Sequence, residues 1–191
     1  MQKVLITILT FLLYGTLTAQ TNYYTTTKTF YEDGYVYQCD LDESGRVTLY
    51  NKDNRFTYSK YANKDGTPVS SDVLLGKVQL IEDDNWTRRK CGEIANNIFS
   101  ATERVNVANK EYSVRMIVDT STGKVNEVFF SFMFNGPFIT VPVSTFRKLE
   151  LALKEKIWFI ISPAGKKLKF IRRSWRQEVS PTPQPVTPEL L

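Results

Sequence analysis

Seven residues in the first quarter of the chain set the tightest limit on its fold. Tyr35, Tyr37, Cys39 and Leu41 alternate with Val36, Gln38 and Asp40. A repeat of two places successive side chains on opposite faces, which describes a half-buried strand and no helix. Glu43-Ser44-Gly45-Arg46 then reads as a turn whose glycine takes positive φ, and Val47-Thr48-Leu49-Tyr50 returns as the partner strand. Residues 55–61 are expected to form a third strand, 63–68 to end the meander, and 78–81 to add a short apolar strand.

The pattern changes at Trp86. Trp86, Cys91, Ile94, Ala95, Ile98 and Phe99 recur at helical spacing, which predicts an amphipathic helix to about Ser100. Asp84 or Asn85 would cap it, and Glu82-Asp83-Asp84 complements the positive end of its dipole. Residues 112–118 and 125–134 read as two strands joined by the turn Asp119-Thr120-Ser121-Thr122-Gly123-Lys124. Residues 138–143 are expected to be extended. A second helix of about three turns then starts at Ser144 or Thr145. Residues 157–161 read as a buried strand or the helix end, and residues 166–179 as a final strand. The fold class predicted is α+β, a mainly antiparallel sheet with two helices. An N-terminal β-meander (20–81) is followed by a helix-hairpin-helix-strand unit (82–179) within one domain.

Both ends read differently. Lys3 precedes a ten-residue, largely apolar run, and Thr18-Ala19-Gln20 follows. This is the layout of a signal peptide over residues 1–19, since a membrane span needs roughly 20 apolar residues. Its removal would make the protein exported, to the periplasm or the cell exterior, with no transmembrane segment left. Residues 180–191 carry prolines at 181, 183, 185 and 188 and read as an extended tail.

Composition bears on chemistry through one absence. The 191 residues include no histidine. That removes Ser-His and Cys-His nucleophile pairs, the imidazole base and His-ligated zinc or haem. The nine glycines are dispersed in turns and form no phosphate loop. Asp40-Leu41-Asp42-Glu43-Ser44-Gly45 matches the front of a calcium loop, but its twelfth position is Asn51 where the site needs a bidentate Glu. No cofactor, no metal and no catalytic residue is therefore expected.

Two features invite a functional reading. Cys39 and Cys91 both point toward the expected core. In an exported chain they could pair, closing a loop of about 50 residues and contributing roughly 3–4 kcal/mol, or stay as separate buried thiols. Between Arg147 and Arg176 ten basic residues face only Glu150 and Glu155, whereas the whole chain carries +5. Within that stretch, Lys166, Lys167, Lys169, Arg172, Arg173, Trp175 and Arg176 interleave charge with aromatics. They form either a contact surface for anions or an edge strand guarded against aggregation by its lysines. Tyr23, Tyr24, Tyr31, Tyr35 and Tyr37 could present rings to a sugar or a partner, or serve as strand formers.

The opening Thr21-Asn22-Tyr23-Tyr24-Thr25-Thr26-Thr27-Lys28-Thr29-Phe30-Tyr31 and the segment Asp33-Gly34-Tyr35-Val36-Tyr37-Gln38-Cys39 resemble a family of small exported proteins of unknown function from Gram-negative gut anaerobes. That resemblance implies no activity. Residues 85–179, with Val114-Arg115-Met116-Ile117-Val118-Asp119 before the hairpin glycine, resemble the C-terminal domain of TonB-type energy-coupling proteins. It implies two helices on one face of a small antiparallel sheet, with an edge strand that binds partners. Together these readings favour a non-enzymatic binding protein of the bacterial envelope. Its partner would be an anionic envelope component or another protein met through the basic strand, and export disfavours nucleic acid. The alternative is a carboxylate-based hydrolase acting on glycan or peptidoglycan.

Overall fold

The computed structural model describes residues 21–32, 34–82 and 84–183. The expected signal peptide and residues 184–191 of the tail lie outside the described residues. The strands are β1 (Lys28–Glu32), β2 (Tyr35–Leu41), β3 (Arg46–Asn51), β4 (Glu111–Val118), β5 (Val125–Met133) and β6 (Ile171–Glu178). They form one antiparallel sheet in the order β1-β2-β3-β5-β4-β6. The helices are α1 (Ser71–Leu74), α2 (Asn85–Ile98), α3 (Ala101–Val107) and α4 (Val143–Lys156), with 3-10 turns at Pro137–Thr140 and Gly165–Lys167. The α+β class holds; α2 and α4 are the two expected helices, and α1 and α3 are additional.

The alternation of β2 runs across the whole sheet. Cys39 faces Leu49, Leu49 faces Phe130, Phe130 faces Val114 and Val114 faces Trp175. That apolar row lies under the helices, where α2 buries Cys91, Ile94 and Ala95 and α4 buries Phe146, Leu149 and Leu153. Phe146 stacks on Phe132 at 5.4 Å and meets Phe130 at 5.0 Å. Each such side chain stabilises the fold by roughly 1.5–3 kcal/mol through burial. The adjacent row runs Asp40, Thr48, Ser131, Ser113 and Arg176. Pleating turns it to the opposite face.

The two similar turns are one device used twice. Asp42 Oδ1 accepts hydrogen bonds from the Ser44 amide and hydroxyl and from the Arg46 amide. Asp119 Oδ1 accepts from the amides of Ser121 and Thr122 and from the Thr122 hydroxyl. The glycines that close them, Gly45 and Gly123, take φ of +79° and +73°, a region other residues occupy at a cost.

Several expected elements are corrected. Residues 55–61 form no strand, because β3 already has β2 on one side and β5 on the other. The segment instead crosses the face away from the helices, where Glu127 accepts from the amides of Arg55 (2.7 Å) and Phe56 (3.0 Å). Residues 78–81 and 157–161 contribute only the isolated bridges Ile81–Ile161 and Lys124–Trp158. Residues 138–143 are not extended throughout, since a 3-10 turn starts at Pro137. The helix expected from Trp86 to about Ser100 is α2, which ends at Ile98 with Phe99 as its C-cap, and Ser100 then starts α3 through a reciprocal capping box with Glu103. Pro142, whose ring has no hydrogen-bonding group, flanks the start of α4 without a side-chain cap, and the Thr145 hydroxyl, an expected cap, donates instead to Glu103 Oε1 at 2.6 Å. The last strand begins at Ile171, not at Lys166.

The Cys39–Cys91 disulfide is also corrected: both cysteines are free and buried. Cys39 lies on β2, whereas Cys91 faces β6 beside Arg173 and Trp175. Four strand spacings, roughly 19 Å of sheet, separate those two strands, far beyond the Cα separation a disulfide allows. Burial, the main cause in each case, pushes the Cys39 thiol up to about 11 and the Cys91 thiol up to about 12.

Candidate functional site

The residues of the basic segment do not form one surface. Lys166 and Lys167 project from the 3-10 turn and Lys169 from the connection after it, all three exposed. The backbone there is tied down, with the Lys64 amide donating to Lys167 O (2.8 Å) and the Lys169 amide to Ala62 O (2.9 Å). Arg172 turns to the face away from the helices, lies 5.9 Å from the rings of Tyr61 and Phe170, and donates to Ser59 O at 2.8 Å. Arg173 turns the other way and pairs with Asp84 at 2.6 Å. Trp175 packs against the core and donates its indole N–H to Gln177 Oε1 at 3.0 Å. Arg176 is exposed, 3.8 Å from Glu111.

What unites the last four is the edge they occupy. β6 pairs only with β4. In an antiparallel edge strand, alternate residues turn both backbone groups outward, and here those residues are Arg172, Ser174, Arg176 and Glu178. The Tyr61 hydroxyl accepts from the Arg172 amide (3.1 Å) and donates to the Arg172 carbonyl (3.4 Å), occupying the first pair as a strand partner would. Gln177 Nε2 donates to the Glu178 carbonyl at 2.7 Å. Ser174 and Arg176 keep their outward N–H and C=O unpaired among the described residues.

A cleft of about 400 Å³ opens along those two residues. Thr87, Arg88 and Cys91 of α2 line it, with Glu111 and Met116 of β4, Phe159, and Arg173, Ser174, Trp175 and Arg176 of β6. Of its three arginines, Arg173 is paired with Asp84 and Arg176 lies 3.8 Å from Glu111, which leaves Arg88 without a carboxylate partner among the described residues. The Cys91 thiol, held protonated by burial, is no nucleophile at neutral pH.

The buried acids sit elsewhere. Glu150 is fully buried and accepts from the Tyr37 hydroxyl, from Arg147 at 2.7 Å and from Lys154 at 3.4 Å. Glu127, on the opposite face of the sheet, holds the two loop amides. The sequence reading missed these anchors as well as the cleft. The sole available signal was an acid inside an apolar run, as in Val125-Asn126-Glu127-Val128-Phe129.

The family described as Domain of unknown function (DUF5043) matches residues 20–175. The chain belongs to this family. A crystal structure of a DUF5043 family protein from Bacteroides uniformis ATCC 8492 is similar to it, with 36% sequence identity and a TM-score of 0.74. The similarity covers 83% of this chain and 95% of that one. No curated protein matches. The match is to a family of unknown function, as the opening residues suggested, and it lends nothing to the TonB-type resemblance.

Proposed function

We propose that this DUF5043 protein is an exported, non-enzymatic binding protein of the bacterial envelope, and that it takes an extended segment of a partner protein onto the free edge of β6. The observation that carries this reading is the pair of backbone sites at Ser174 and Arg176, unpaired among the described residues, beside a cleft that the same two residues line. An added strand gains affinity from the backbone groups and specificity from pockets for alternate side chains. The cleft would receive one such side chain, and Arg88, which has no carboxylate partner among the described residues, favours an acidic one. The signal-like N-terminus supports export. A hydrolase would need two carboxylates roughly 5–9 Å apart in a cleft; among the described residues, Glu111 is the one carboxylate that lines this one.

Selection from a displayed library of random extended peptides tests the reading, with Ser174→Pro as the probe variant. Proline is tolerated on an edge strand where its missing N–H faces solvent, so folding should survive. Peptides enriched in acidic residues should bind wild type and lose at least about tenfold in affinity to Ser174→Pro. Peptides that bind both proteins equally would refute the edge as the contact.

A further inference from the structure

The sheet face away from α2 and α4 carries a second concentration of unmatched groups. Arg115 extends over Phe129, its Cζ 5.6 Å from the ring centroid, and is partly buried. Its guanidinium makes no hydrogen bond and no ion pair among the described residues. The charges beside it are alike: burial first, then Arg46 and Arg172, hold its pKa below the usual arginine range. The acids nearest it are already engaged, and the others on this face, Glu111 and Glu178, lie at the far end of β4 and β6 beside Arg176. Asp40 Oδ2 accepts from Tyr50 (2.9 Å) and Tyr58 (2.7 Å), and Glu127 holds its loop amides. Arg172 also leaves its Nε buried without a partner.

Around this cluster stand hydroxyls with equally little to do. Ser131 faces Ser113 across β5 and β4, and Arg115 faces Ser174 across β4 and β6. None of the three serine hydroxyls is hydrogen-bonded to a described residue. Ser131 is buried, so the accessible hydroxyls are those of half-buried Ser113 and exposed Ser174. Tyr58, 65% exposed, stands at one side of the row as an accessible aromatic face.

A cation that lacks a counter-charge, in a setting that partly excludes water, gains most from an oxyanion, and Arg115 is that cation here, whereas Arg46 has Asp42 beside it. A row of free hydroxyls and one open ring fit a sugar chain better than a bilayer, which would need an apolar anchor. They also fit it better than a nucleic acid strand, which stacks on several successive rings. We infer that this face binds an acidic oligosaccharide. Arg115, with Arg46 near it, holds its carboxylate or sulfate, Ser113 and Ser174 bond its hydroxyls, and Tyr58 covers a ring face.

The test is affinity gel electrophoresis followed by calorimetry, using polygalacturonate, chondroitin sulfate, neutral dextran and single-stranded DNA as probes. At least one acidic glycan should bind while dextran does not. Arg115→Gln and Arg46→Gln should each weaken that binding about tenfold. Arg46 is exposed, so its variant keeps the test valid if Arg115→Gln fails to fold. Arg89→Gln, an equal charge loss on the exposed side of α2, should leave binding within about twofold. Absence of binding to both acidic glycans would overturn the proposal. So would equal losses in Arg89→Gln and Arg46→Gln, or single-stranded DNA bound as tightly with the same arginine dependence.

Discussion

Removing one oxygen atom at Tyr37 should cost more than any exposed substitution in this protein. The Tyr37 ring and the Glu150 carboxylate are both fully buried, and the phenol donates to the same Oε2 that Arg147 reaches at 2.7 Å. Burial, and then the negative charge of Glu150, hold the Tyr37 pKa far above its usual range, so the hydroxyl remains a donor at every pH where the protein is studied. Tyr37→Phe keeps the edge-on packing with Tyr35 and deletes only that donor. A hydrogen bond to a charged group contributes about 1.5–3 kcal/mol. Arg147 and Lys154 stay on the carboxylate and reach water themselves, so a loss of about 2 kcal/mol is expected. For a domain of this size that lowers Tm by about 4–8 °C. Urea unfolding of Tyr37→Phe, Glu150→Gln and the double variant measures it, with a coupling of at least about 1 kcal/mol expected from the cycle. A Tyr37→Phe protein within about 0.5 kcal/mol of wild type would refute the claim that this bond locks α4 to β2.

Gly123→Ala should destabilise by at least about 2 kcal/mol in thermal unfolding. Its new Cβ would stand 2.0 Å from Phe159 O, at a φ of +73°, and would break the bond from the Phe159 amide to Gly123 O. The two thiols should resist iodoacetamide in the native protein until the pH nears 11 for Cys39 and 12 for Cys91, because the reactive thiolate forms only above those values. Unfolding without reductant should release two titratable thiols, and finding none would show that a disulfide had formed.

How much of this was legible in the sequence depended on how local the cause was. The alternation of β2 and the Asp119–Gly123 turn carry their own geometry, and both appear as expected. Residues 55–61 have the composition of a strand, yet they are a loop because no free edge of β3 remains for them. That vacancy is decided by β5, some seventy residues later, and no local pattern reports it. The basic segment was visible as chemistry but not as shape. Arg172 and Arg173 are neighbours in sequence, and the pleat sends one to Ser59 and the other to Asp84. Arg115 could be assigned to the polar side of its strand, but its lack of a counter-charge follows from where Asp40 and Glu127 are already held.

The central claim is that β6 presents an unoccupied edge, and amide hydrogen exchange of the free protein tests it most directly. The account predicts an alternation along one strand. The amides of Arg173, Trp175 and Gln177, bonded into the β4 ladder, should exchange only with global unfolding, while those of Ser174 and Arg176 exchange orders of magnitude faster. Arg172, covered by the Tyr61 hydroxyl, should fall between. Strong protection at Ser174 and Arg176 in the free protein would mean that the edge is already covered, and would contradict the proposed role.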